Sequence, residues 1–218
     1  MAGIPERSPA GSSAPDDDLA GKDHMSFVYA VRCNFTRLDL EEKWHAWYSG
    51  PKLAEMVTHP HFLSGQRYEA VGLDQAIRYV ALWVVESPDA FRSPEYKASW
   101  GWAEWKPYIS HWSRNLYDAG DRDMTALLDV TPGGGLYLAA FEGVAEAEAE
   151  KRRAEAQAAR PEVIWMPVAG LDRSCPAIGV QKLADPAKAT PLPAPLAAGV
   201  RETTFRPLTE RRRAKPRK

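Results

Sequence analysis

With only two cysteines in 218 residues, Cys33 and Cys175, the chain has no disulfide framework and no cysteine zinc site. That points to a reducing compartment, and a cytoplasmic protein is expected. No apolar run approaches the roughly 18 to 20 residues of a membrane span. The opening MAGIPERSPAGSSAPDDDLAGKD contains no hydrophobic segment of the signal-peptide kind. Net charge is nearly absent too: 28 Lys and Arg against 29 Asp and Glu leave −1, so no global field draws in nucleic acid. Motifs for covalent chemistry are missing. There is no Gly-x-Ser-x-Gly elbow, Cys33 shows no sign of activation, and Thr131-Pro132-Gly133-Gly134-Gly135 leads into a strand instead of the helix that a phosphate loop needs.

What is present is aromatic and patterned: 8 Trp, 8 Tyr and 6 Phe within a chain that is 44% hydrophobic, enough for one globular domain with extensions. Residues 1–24 combine Pro, Gly, Ser and Asp16-Asp17-Asp18, cannot bury enough apolar surface to order, and are expected to be a disordered tail. From Ser26 to Asn34 the residues alternate, with Phe27, Tyr29, Val31 and Cys33 on one face, which predicts a strand. Asp39 and Glu42 form a capping-box variant before Leu40, Trp44, Trp47 and Tyr48 at helical spacing, and Gly50-Pro51 predicts a kink in that helix. Phe62–Val71, with Gly65 as a bulge, and Ile77–Glu86 predict an antiparallel pair of strands. The stretch from Pro94 to Ala119 places Tyr96, Trp100, Ile109, Trp112 and Leu116 on one stripe, predicting a second helix divided at Lys106-Pro107. Gly134–Glu142 supplies a fourth strand.

The expected fold for residues 25–142 is therefore α+β and ferredoxin-like, β-α-β-β-α-β, a four-stranded antiparallel sheet with two helices on one face. Its other face is left apolar, so a homodimer through the sheet is expected. Residues 143–183 predict a solvated Ala/Glu/Arg helix and a short strand. Residues 184–218 predict a Pro/Ala-rich and basic disordered tail, with Arg211, Arg212, Arg213, Lys215, Arg217 and Lys218 simply solvated.

The segment WHAWYSGPKLAEMVTHPHFLSGQRYEA resembles the dimeric α/β-barrel superfamily, in particular its small bacterial members. The likeness lies in the Trp47-Tyr48 pair and in the strand holding Pro60, Phe62, Leu63, Ser64, Gln66, Arg67 and Tyr68, and it extends over about residues 26–142. It implies a sheet-to-sheet barrel dimer. It does not imply one reaction, because members include monooxygenases, isomerases, cyclases, haem enzymes and ligand-binding modules. Where related proteins carry His-Leu-Pro in the first helix, this chain has Lys52-Leu53-Ala54, so that histidine's role does not transfer.

Candidate site residues follow from chemistry. His111, Arg114 and Asn115, one helical turn apart, bring together a base, a cation and an amide, and His45 is a second candidate base. Arg67 is placed to stabilise developing negative charge. Tyr48, Tyr79, Trp83, Trp105, Tyr108 and Trp112 are expected to line a pocket for a flat ligand, alongside Trp44, Trp47, Trp100 and Trp102. His59-Pro60-His61 lacks a nearby carboxylate and is a poor metal pair, and no histidine stands in a haem-ligand motif. The sequence thus predicts a cofactor-independent enzyme, a lyase, isomerase or oxygenase, acting by proton transfer on a small aromatic or apolar oxygenated compound. The alternative is a non-catalytic aromatic-ligand-binding or assembly module. Neither a metal nor a cofactor is called for, and neither membrane nor nucleic acid is an expected partner.

Overall fold

The computed structural model describes residues 26–72 and 75–215; the expected N-terminal tail, with Arg217 and Lys218, lies outside the described residues. Eight strands run in chain order as β1 (Phe27–Phe35), β2 (Phe62–Ala70), β3 (Tyr79–Val85), β4 (Ile109–Asp118), β5 (Gly135–Phe141), β6 (Ile164–Leu171), β7 (Ala177–Leu183) and β8 (Val200–Pro207). Their order, β3-β1-β4-β6-β7-β5-β8-β2, closes on itself because β2 also pairs with β3. The fold is α+β around a closed, eight-stranded antiparallel barrel. A two-residue strand β9 (Arg212–Arg213) extends β2 at Ser64 and Gly65.

The barrel is two ferredoxin-like halves in one chain. In the first half the order β2-β3-β1-β4 holds, and in the second β6-β7-β5-β8 repeats it strand for strand. Within the halves the ladders are long, for example Phe27 to Cys33 of β1 against β3. The seams are short: β4 meets β6 only at Asn115, Leu116 and Tyr117, and β2 meets β8 only at Tyr68, Glu69 and Ala70. The sheet face that the sequence assigns to a second copy is the barrel interior, filled from both halves by residues such as Val28, Leu82, Tyr117, Leu138, Ile178 and Phe205. The four-stranded sheet is thus corrected to eight strands, and the sheet no longer calls for a twin molecule.

Three local readings change with it. Residues 109–118 are strand β4, not helix: the α-helix that begins at Pro94 stops at Ser99, a 3-10 turn spans Ala103–Tyr108, and the free edge of β1 takes Ile109 to Asp118 as its ladder partner. Gly134–Glu142 is the first strand of the second half instead of the last strand of the first. Residues 200–207, assigned to a disordered tail, form β8, where Thr203 and Phe205 turn inward and close the barrel.

Helices cover the outside. α1 (Glu41–Trp47), a π turn (Tyr48–Lys52) and α2 (Leu53–Met56) form one continuous cover over the first half, with the expected irregularity at Gly50-Pro51 appearing as the π turn. α3 (Pro94–Ser99), capped by Ser93 accepting from the Tyr96 amide, completes that cover; the short α4 (Met124–Leu127) follows β4. Over the second half lie α5 (Glu146–Ala159) and the short α6 (Ala194–Ala197). α5 is not a free solvated helix. Ala149 and Ala156, two turns apart, are buried beneath it, and their small side chains admit Phe141 and Trp165 from the sheet. No helix among the described residues is long and apolar enough to cross a membrane.

The basic C-terminus is anchored, not merely solvated. Arg211 is buried and donates to Ser64 Oγ (3.0 Å), Tyr68 Oη (3.0 Å) and the Leu128 carbonyl (2.9 Å), while Arg213 pairs with Asp129 at 2.9 Å.

Candidate functional site

Strand alternation sends Tyr29 and Val31 of β1, Trp83 of β3 and Arg114 of β4 to the outer face of the first half. Opposite them stand Tyr48, Lys52 and Met56 from the π turn and α2, and Tyr96, Trp100, Gly101 and Trp102 from α3 and the segment after it. Together with Trp112 these residues enclose a pocket of about 430 Å³ counting its open mouth. Only about 40 Å³ of it is space a water can occupy, room for about three waters. Trp100 and Trp112, 48% and 45% exposed, stand at the mouth.

Gly65 makes the floor. A Cβ there would stand 2.2 Å from Trp83 Cε3, so the indole lies flat across the β2 backbone. The bulge expected at Gly65 falls instead between Phe62 and Ser64.

The polar groups in the pocket are few. The Tyr29 and Tyr96 hydroxyls are hydrogen-bonded at 3.1 Å, and burial pushes the Tyr29 phenol well up from its ordinary range. Lys52 is 8% exposed in its side chain; Nζ donates to the Ser99 carbonyl and lies 3.5 Å from Glu55, a carboxylate 48% exposed. Burial lowers the Lys52 amine from its ordinary value, with Glu55 opposing only in part. Arg114 sits at the mouth, its guanidinium 4.6 Å over the Trp100 ring and bonded to Asp172 at 3.1 Å. Asp172 follows β6, so the second half positions this cation.

Of the residues singled out from the sequence, Tyr48, Trp83, Trp112 and Arg114 line this pocket, together with Trp100 and Trp102. The others lie elsewhere. His111 is exposed on β4 at φ +48°, its Nδ1 beside Ser110 Oγ, and the turn expected to join it to Arg114 and Asn115 is extended strand. Asn115 points into the barrel, where Nδ2 donates to Ser174 Oγ at 3.1 Å and Oδ1 accepts from the Cys175 amide at 3.4 Å. Tyr79 is core and donates to Glu41 at 2.5 Å. Trp105 is core, and Tyr108 is half-buried against Phe35 and Arg37.

Arg67 and His45 form a separate cluster behind the pocket wall. Arg67 is buried, its guanidinium 4.1 Å from the Tyr48 ring centre and 4.6 Å from that of Trp44, with Nη1 donating to Ser49 Oγ at 2.7 Å. No carboxylate pairs with it among the described residues, and burial lowers its pKa to about 10. His45 Nδ1 accepts from Arg67 Nη2 at 3.4 Å, and burial followed by the Arg67 charge brings the imidazole down to about 4. His45 is neutral at pH 7 and stands outside the pocket lining. Cys33 is also buried nearby, its thiol pushed up to about 12.

Lys52 and Tyr96 are polar pocket residues that the sequence pattern does not assign to a site. His59 Nε2 bonds Ser99 Oγ at 2.6 Å and His61 Nδ1 bonds Glu86 at 2.9 Å, so the two histidines engage different partners. Among the described residues no cluster of three metal-ligating side chains occurs.

No protein-family model matches the chain, and no curated protein matches it significantly. Solved structures do share its fold. An anthrone oxidase-like protein aligns with TM-score 0.55 at 10% identity, over 89% of this chain and 95% of that one. A mutant chlorite dismutase from Candidatus Nitrospira defluvii aligns with TM-score 0.49 at 14% identity, over 89% and 96%. A heme-binding protein from Thermus thermophilus gives 0.47 at 13% identity, over 86% and 92%. At 10% identity the likeness to the anthrone oxidase-like protein is one of fold alone. No histidine lines the pocket.

Proposed function

We propose that the protein binds a small, flat, aromatic or apolar oxygenated compound between the first-half sheet and its helical cover, and acts on it by cofactor-independent proton transfer. The observation that carries this reading is the composition of the pocket. Trp100 and Trp112 at its mouth, Trp102 on its wall and Trp83 on its floor offer stacking faces, while Lys52, the Tyr29–Tyr96 pair and Arg114 offer polar contact. Burial favours the neutral form of the Lys52 amine, the form that can accept a proton. The bonded tyrosine hydroxyls supply hydrogen bonds to an oxygenated ligand, and Arg114 faces developing negative charge at the mouth.

The test is tryptophan fluorescence titration with phenols, aryl ketones and aryl aldehydes, followed by mass analysis for product. Trp112→Ala is expected to weaken binding by about 0.5–1.5 kcal/mol, roughly 2- to 12-fold in Kd. Quenching with product supports the enzyme. Quenching without product across the panel favours the second reading, a ligand-binding module, to which the half-exposed Trp100 and Trp112 are equally suited. No quenching by any compound overturns both.

A further inference from the structure

We propose that Lys52 is a covalent site, at which aromatic aldehydes or ketones are held as imines; this rests on the reading of the pocket given above. A lysine whose side chain is 8% exposed is exceptional unless it is paired, and the pairing here is weak. Its carboxylate neighbour, Glu55, is 3.5 Å away and half in water. Its main bond runs to the Ser99 carbonyl, an acceptor that a neutral amine satisfies as well as an ammonium does. The structure thus holds the amine by the Ser99 carbonyl and a long contact to Glu55 on the lining of an apolar chamber, where burial disfavours the charged form relative to the neutral, nucleophilic one.

The surroundings suit a carbonyl compound. Trp83, Trp102 and Met56 supply apolar walls for an aryl group, and the Tyr29–Tyr96 hydroxyls lie in the same chamber as hydrogen-bond donors for a carbonyl oxygen. In the reaction the Lys52 nitrogen lone pair attacks the carbonyl carbon, a C–N bond forms, and the oxygen is protonated to give a carbinolamine. The C–O bond then breaks, and the oxygen leaves as water with both hydrogens of the original amine. Amine and carbonyl go to imine and water, with no change of oxidation state. A structural role is the competing account: Lys52 and His59 both tie down Ser99 at the end of α3.

The experiment uses the full chain with benzaldehyde and acetophenone as probes, cyanoborohydride to reduce any imine, and peptide mapping by mass spectrometry. The expected result with benzaldehyde is a reduced benzyl adduct on Lys52 that forms at neutral pH ahead of any on exposed lysines such as Lys43 and Lys97. Lys52→Met should remove that adduct, while fluorescence quenching of the wild-type protein by benzyl alcohol reports the pocket itself. Because the wild-type map alone decides the site, the proposal stays testable even if the variant does not fold. Adducts spread over surface lysines, or an unmodified Lys52 while benzyl alcohol still quenches, overturns the imine and leaves the pocket standing. Loss of quenching by every aromatic probe overturns the pocket reading itself.

Discussion

Gly65 and His45 show how single residues are fixed by what lies against them. Any side chain at 65 meets the Trp83 ring, whose own place is set by the β2–β3 register pairing the two residues. Gly65→Ala is expected to cost about 1–3 kcal/mol, the range for overpacking, read as a lower urea midpoint with an unchanged m-value. The expectation fails if the variant is as stable as wild type. His45 carries a pH dependence. Its folded pKa, about 4, lies below the ordinary 6.5, so between these values the unfolded chain binds a proton that the folded protein excludes. The stability from a neutral His45 is complete above pH 6.5 and is lost as pH falls toward 4. His45→Asn should lose less stability than wild type between pH 7 and pH 4.5 in denaturant titrations; equal losses would remove His45 from the effect.

At the scale of elements, β2 is the hub of the polar interior. Gln66 donates through Nε2 to the carbonyls of Val130 and Thr209, each at 2.7 Å, and accepts the Val130 amide at 3.2 Å. One side chain thereby ties β2 to the segment before β5 and to the C-terminal segment. Gln66→Leu strands these buried groups and is expected to cost at least about 1–3 kcal/mol, measured by thermal or chemical unfolding. A near-neutral result would contradict that role for Gln66. Elements with strict alternation, β1 and β3, were legible from the sequence. β4 was not, because Ile109, Trp112 and Leu116 also fit a helical stripe, and only the open edge of β1 decides between the two. The pocket was half legible: its tryptophans announced themselves, whereas Lys52 looked like any surface lysine until α2 turned it against Ser99.

For the whole molecule, the shared interior makes the two halves interdependent. Val28, Ala30, Tyr68, Val80, Leu82 and Val84 of the first half are covered by residues of the second. A fragment of residues 26–129 would expose that face, and it is expected to be unfolded or self-associated by light scattering and circular dichroism. A monodisperse, folded monomer would contradict the shared core. The intact chain should unfold in one cooperative transition.

By itself the sequence determined local preferences: apolar alternation in β1 and β3, and the break at Gly50-Pro51. These are set within a few residues by backbone sterics and side-chain period. Closure of the barrel was decided only in three dimensions. The second half reads as weak sequence, an alanine helix with no large apolar side chain and a short Thr-Phe strand, because its large partners, Phe141 and Trp165, belong to other elements. Burial that comes from long-range partners leaves no mark in the local pattern, and here it also determines where Arg114, held by Asp172 across the β4–β6 seam, is placed at the mouth of the pocket.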